Sequence, residues 1–68
     1  MVLQDLLQIT YIKPIAVQGN LARREAGLVA MAASLGLITT QIRPYEFTRE
    51  WRITNKGLML LNDNEEQQ

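Results

Sequence analysis

The chain has 68 residues, seven basic and seven acidic side chains, a net charge of zero, and neither cysteine nor histidine. That length holds one domain, and a chain so short usually leans on disulfides, a metal or a second copy to complete its core. Without cysteine or histidine the first two supports are excluded in their usual forms, which leaves a homodimer as the expected one.

Residues 2–12 are apolar at Val2, Leu3, Leu6, Leu7, Ile9, Tyr11 and Ile12. Val2, Leu6 and Ile9 fit a helical stripe that Leu3 and Leu7 widen, with Gln4, Asp5 and Gln8 facing water. The helix should end near Tyr11, because Lys13 precedes Pro14 and a residue before proline avoids the helical region. Ile15, Ala16 and Val17 read as a short second helix opened by Pro14 or as a small strand. Gln18, Gly19 and Asn20 read as a turn.

Residues 20–35, NLARREAGLVAMAASL, read as the central helix, with Asn20 as N-cap and Gly36 as the glycine that ends it. At about 100° per residue, Leu21, Ala22, Ala26, Leu28, Val29, Ala32, Ala33 and Leu35 share one broad face. The opposite arc holds Arg23, Arg24, Gly27, Ala30, Met31 and Ser34. A break at Gly27 is the other parse; one helix is preferred because a single glycine costs about 1 kcal/mol in such a sequence. Glu25 falls inside the apolar arc and is expected to reach an arginine.

From residue 37 the period changes to two. Ile38, Thr40 and Ile42 take one side, with Thr39, Gln41 and Arg43 on the other; Trp51 and Ile53 then point inward, Arg52 outward. Two such runs predict an antiparallel hairpin, covered by the central helix with Trp51 as the keystone. Its connection, residues 44–49, has no glycine, so a broad loop is expected. Thr54 or Asn55 should cap a closing helix that packs through Leu58, Met59, Leu60 and Leu61. Residues 1–62 then form the domain, and 63–68 a flexible acidic tail.

Two stretches of this chain resemble the small winged helix-turn-helix proteins, and its compact length and arginine-alanine helix are similar to the little DNA-binding proteins of phages, prophages and plasmids. One is the passage from helix to strand through Leu35-Gly36-Leu37-Ile38-Thr39-Thr40. The other is Trp51-Arg52-Ile53-Thr54-Asn55-Lys56-Gly57-Leu58-Met59-Leu60-Leu61, which is similar to the hydrophobic-x-[IL]-T-x-x-G-x-x-x-L that ends the wing and opens the closing helix in that family. The resemblance implies an α+β winged helix: helices, a C-terminal two-stranded β-hairpin wing and a closing helix. It also implies that the long helix is the recognition helix and residues 43–52 the wing. The chain departs from the pattern in one respect, since only residues 14–18 remain for a helix ahead of the recognition helix.

The expected function is sequence-specific binding of double-stranded DNA, as a small transcriptional or replication regulator of a mobile element. Neutral charge overall does not remove a basic face. From Lys13 to Lys56 there are seven basic residues against three acidic ones, Glu25, Glu46 and Glu50. Asn20, Arg23 and Arg24 at the helix start, Ser34 further along it, and Gln41, Arg43, Arg49 and Arg52 on the wing are the candidate DNA contacts. Lys56 adds a phosphate contact. The alternative is an assembly module that touches a protein partner through Met31, Tyr45 and Phe47. No enzyme is expected, for the chain has no histidine or cysteine and no phosphate-binding GxxxxGK[ST], and no metal or other cofactor is implied. No apolar stretch reaches membrane-spanning length, so a cytoplasmic protein away from membranes is expected.

Overall fold

In the computed structural model, which describes residues 1–66, seven elements follow one another: α1 (Leu3–Ile12), β1 (Ile15–Ala16), α2 (Asn20–Arg24), α3 (Ala26–Ser34), β2 (Ile38–Arg43), β3 (Glu46–Ile53) and α4 (Asn55–Glu66). The domain is α+β. Its three strands form an antiparallel sheet in the order β1-β3-β2. No helix among the described residues is long and apolar enough to cross a membrane.

The core draws on every element. Leu6 and Leu7 from α1, Ile15 from β1, Ala22 from α2, Val29 and Ala32 from α3, Ile38 from β2 and Leu61 from α4 are buried together, with Leu37. Trp51 and Ile53 of β3 pack against this cluster half-buried. In α1 the buried row is Leu6, Leu7 and Thr10, with Leu3 and Ile9 packed beside it, while Val2 is 62% exposed. The expected Val2–Leu6–Ile9 stripe is therefore rotated. Thr10 enters the core because its hydroxyl donates to the Leu6 carbonyl at 2.6 Å, which satisfies a buried donor within the helix. At the other end of α1, the Val2 amide donates to Asp5 Oδ2 at 3.3 Å.

Pro14 ends α1, and Ile15–Ala16 behind it form a short strand. Ile15 pairs with Trp51 and Ala16 with Glu50, and the Val17 amide donates to the Arg49 carbonyl at 2.9 Å. Trp51 thus sits across from Ile15 inside a three-stranded sheet, where the expected keystone contact was with the central helix. The sheet's apolar side is covered by α1 and α4 at β3 and by α3 at β2.

The central helix is two helices. It breaks at Glu25, whose backbone leaves the helical region (φ −108°, ψ 35°), and not at Gly27. Hydrogen bonding continues across the break, with the Glu25 amide on the Leu21 carbonyl and the Val29 amide on the Glu25 carbonyl, both at 2.9 Å. The bend has a packing cause: α2 lies on β1, whereas α3 must reach α1 and β2. One straight helix would meet only one of these. As a result Ala26 and Leu35, both expected in the core, are exposed. Glu25 approaches the Met1 ammonium at 4.0 Å and no arginine, a contact at the outer limit of an ion pair. The N-cap of α2 is Gly19, without a side-chain cap; Asn20 is the first helical residue.

Gly27 stands near the start of α3, exposed, and a Cβ built on it would meet nothing within 4 Å. Gly27→Ala is expected to stabilise the domain by about 0.5–1 kcal/mol by reducing the freedom of the unfolded chain. The check is urea unfolding, where the midpoint should rise at constant slope; a lower midpoint would contradict the open space around the residue.

The end of α3 and the start of α4 meet at one junction. Gly36 takes the left-handed conformation (φ 74°); its amide donates to the Ala33 carbonyl at 3.0 Å and that of Leu37 to the Ala32 carbonyl at 2.9 Å. This pair of bonds is a Schellman motif, which uses carbonyls the helix leaves free. Thr54 ties α4 to it. Its hydroxyl donates to the Gly36 carbonyl at 2.6 Å and accepts from the Gly57 amide at 3.0 Å, capping α4. Its own amide donates to the Leu37 carbonyl at 2.9 Å. The Thr-x-x-Gly spacing is explained by this geometry, because a Cβ on the buried Gly57 would run into the Leu37 carbonyl and come within 2.7 Å of Ile53 Cγ1. Beyond it Leu61 is buried and Leu58 and Leu60 half-buried, but Met59 is 67% exposed, outside the packing expected of it. The helix continues through Glu66, so residues 63–66 of the expected tail have helical backbone; 67–68 lie outside the described residues.

The hairpin closes on a two-residue turn, Pro44 and Tyr45, where a broad loop was expected. Proline holds φ near −65°, and Tyr45 takes φ 66°. That sign pattern belongs to a type II turn, whose second central position favours glycine or asparagine. A bulky residue there stores strain of about 1–3 kcal/mol. Next to the turn the register is irregular: Ile38 pairs with Ile53 and Thr39 with Arg52, but Gln41 pairs with Phe47 and Arg43 with Glu46. Bulges of this kind add twist, which offsets the splay that such a turn imposes on a hairpin. Thr48 fits into the irregularity, accepting from the Glu50 amide at 3.3 Å and lying 3.1 Å from the Glu50 carbonyl and 3.3 Å from the Thr40 carbonyl. The period-two alternation is interrupted there, and Phe47 opposite Gln41 is 67% exposed.

Candidate nucleic-acid interface

All nine polar candidates reach solvent, in three groups. Asn20, Arg23 and Arg24 occupy α2, which presents its two arginines in its last turn because Ala22 turns into the core. Gln41 and Arg43 on β2 and Arg49 and Arg52 on β3 are exposed along the hairpin. Ser34 and Lys56 belong to the Gly36 junction: Ser34 ends α3 and the Lys56 stem runs past Gly36. The break at Glu25 separates the arginines of α2 from Ser34, so one continuous helix does not carry them both.

The cations differ in their surroundings. Arg43 Nε lies 3.8 Å from Glu46 Oε2 and Arg52 Nη2 lies 3.6 Å from Glu50 Oε1. Both pairs are exposed and contribute little, so a competing anion can displace the carboxylates. Arg23, Arg24, Arg49 and Lys56 form no ion pair within residues 1–63. Met31, Tyr45 and Phe47 are exposed as expected of contact residues, Tyr45 at 96%. The outer face of α3, with Ala26, Gly27, Ala30, Met31 and Ser34, carries no charged group.

A groove of about 660 Å³ lies between the turn that leads into α2 and the outer half of the hairpin, with Val17 and Gln18 on one side and Thr40, Thr48, Arg49 and Trp51 on the other. It brings Arg49 beside Val17 and Gln18, in the turn ahead of α2. Nothing in the sequence reading pointed to this groove, because it exists only once β1 pairs with β3; the visible signal was the strand option for residues 15–17. Ile42 and Leu35, each 48% exposed, are apolar surface that the alternating and helical patterns had assigned inward.

No three His, Cys, Asp or Glu side chains come together among the described residues, and none of the described buried polar side-chain atoms lacks a hydrogen-bond partner. What the surface offers is cations on short, rigid elements beside an uncharged helix face and an aromatic hairpin tip. Comparison with protein-family models, with curated proteins and with solved structures returns no match for this chain.

Proposed function

We propose that the chain is a winged-helix protein that binds double-stranded DNA sequence-specifically, working as a homodimer in a small regulator of transcription or replication of a mobile element. The observation that carries the reading is the helix pair α2–α3 followed by an arginine-bearing hairpin in a sheet of order β1-β3-β2. The break at Glu25 supports it further, since it supplies the helix ahead of α3 that the resemblance calls for. In this reading α2 brings Arg23 and Arg24 to phosphates or guanine edges, and the uncharged face of α3 allows close approach. The hairpin, as the wing, sets Arg43, Arg49 and Arg52 on the neighbouring backbone, with Gln41, Ser34, Asn20 and Lys56 at the margins. Two copies on a repeated or palindromic site raise an affinity that one copy would leave weak.

The test is a fluorescence-anisotropy titration of mixed-sequence duplex DNA at a series of salt concentrations. Affinity should fall steeply with salt, with a log–log slope of about −4 to −5 per bound copy if some five cations of each meet phosphates at roughly −0.9 each, and about twice that for the dimer. No binding at low salt removes the reading.

A second reading, an assembly module without direct DNA contact, is favoured by one feature: α3 shows solvent an uncharged face with Met31 exposed, and Leu35 is exposed at its end. The same titration separates the two, because a protein-only surface gives no salt-dependent duplex binding.

A further inference from the structure

The tip of the hairpin has an exposed aromatic ring on a backbone conformation that disfavours it. Tyr45 is the described residue with the highest exposure among the large hydrophobics, at 96%, and its φ is 66°. Glycine or asparagine would occupy the same position without strain. The ring touches almost nothing in its own domain, so packing does not account for its presence. It is also held stiffly: Pro44 fixes the preceding φ, and Arg43 pairs with Glu46 directly behind the turn. The tip is narrow, since only two residues separate the strands, and exposed arginines, Arg43 and Arg49, stand on either strand behind it. Arg43 is held there only by a long, exposed contact to Glu46.

We infer that Pro44 and Tyr45 form a wedge that enters the minor groove and slides the tyrosine ring between stacked base pairs, while Arg43 and Arg49 hold the phosphates on either side. Apolar and aromatic wedges of this kind unstack a base step and bend the duplex toward the major groove. The minor groove, about 6 Å wide, admits a single ring on a tight turn but not the body of a two-stranded ribbon. Phe47, 67% exposed two residues beyond the turn, lies against the groove wall. The inference rests on the DNA-binding reading above and specifies how the wing engages the duplex.

The experiment compares the full chain with Tyr45→Asn. The probes are duplexes with 2-aminopurine at successive positions, whose fluorescence rises on unstacking, and a duplex with a donor and an acceptor dye at its ends. The wild type should raise 2-aminopurine emission several-fold at one step and shorten the end-to-end distance. Tyr45→Asn should bind about tenfold more weakly, keep the salt dependence, lose both optical changes, and melt no lower than the wild type. Binding by the wild type without any 2-aminopurine response overturns the wedge and leaves the DNA reading standing. Absence of wild-type binding at low salt overturns both. A Tyr45→Asn protein that retains the optical response, or that melts below the wild type, also overturns the wedge. So does one that responds normally but changes from dimer to monomer in sedimentation, because the ring then serves a protein contact.

Discussion

Gly57→Ala is expected to destabilise the domain by about 1–3 kcal/mol, the usual cost of forcing a methyl into a filled site. Helix propensity alone predicts the reverse, since alanine is favoured over glycine by about 1 kcal/mol inside a helix. The contact decides the sign. A Cβ on Gly57 meets the Leu37 carbonyl, which belongs to the backbone, and Ile53 Cγ1 in the packed sheet. Neither is the loose end of a flexible chain. To make room, the first turn of α4 must back away from the Gly36 turn, which strains the bond from the Thr54 amide to Leu37 and the hydroxyl bond to Gly36. A domain of this size has a total stability of about 3–10 kcal/mol at the usual 0.05–0.15 per residue, so the loss is a large share. Urea unfolding should show a fall in midpoint for Gly57→Ala and a rise for Gly27→Ala, two identical substitutions near the starts of two helices with opposite outcomes. Equal effects at both sites would mean that the junction is looser than described.

The paired change Arg23→Ala with Arg24→Ala should give the largest loss of DNA affinity. Each arginine is expected to contribute about 1–3 kcal/mol if it reads a base edge, and neighbouring sites need not add. Both side chains are exposed on a short helix fixed by Ala22 and by hydrogen bonds from its turn: the Arg23 amide on the Gly19 carbonyl at 3.1 Å and the Glu25 amide on Leu21 at 2.9 Å. Removing them therefore leaves the core intact, and thermal unfolding serves as the control. Two measurements divide the roles. A phosphate contact lowers affinity evenly across sequences and reduces the salt slope by about 1, whereas a base contact relaxes preference at one position. Unchanged affinity in the double variant would move the interface to the hairpin alone.

Much of the architecture was legible in the residues. Gly36 was recognisable as a helix-ending glycine because left-handed backbone selects glycine strongly, and Thr54 as a cap because few side chains reach back to a free amide. The alternation at Ile38, Trp51 and Ile53 marked the strands. Other features depended on contacts between distant segments. Whether residues 20–35 form one helix or two turns on where β1 and α1 lie, which propensity does not encode; the break accordingly fell at Glu25, a good helix former, and not at Gly27. The tight turn was missed because glycine normally marks it, and here a tyrosine accepts the strain. Thr10 looked polar but is buried through its bond to Leu6, while Val2 looked apolar but precedes the first helical turn. For the candidate surface, exposure of every polar residue was anticipated; its division into groups, the groove beside Trp51 and the setting of Tyr45 were not, since they arise from the break at Glu25, the pairing of β1 with β3 and the tight β2–β3 turn.

The burial of Leu61 against the cluster that contains Leu6 and Leu7 has a consequence for how the chain reaches its native state. The hydrophobic centre is closed by residues from opposite ends of the sequence, and β1, the link between α1 and the sheet, is only two residues long. An amino-terminal fragment emerging from the ribosome lacks both the strand that β1 pairs with and the helix that seals α1, so its leucines stay partly wet until β3 and α4 are both out. Because such long-range closure must precede its reward, the domain assembles late and as one cooperative unit.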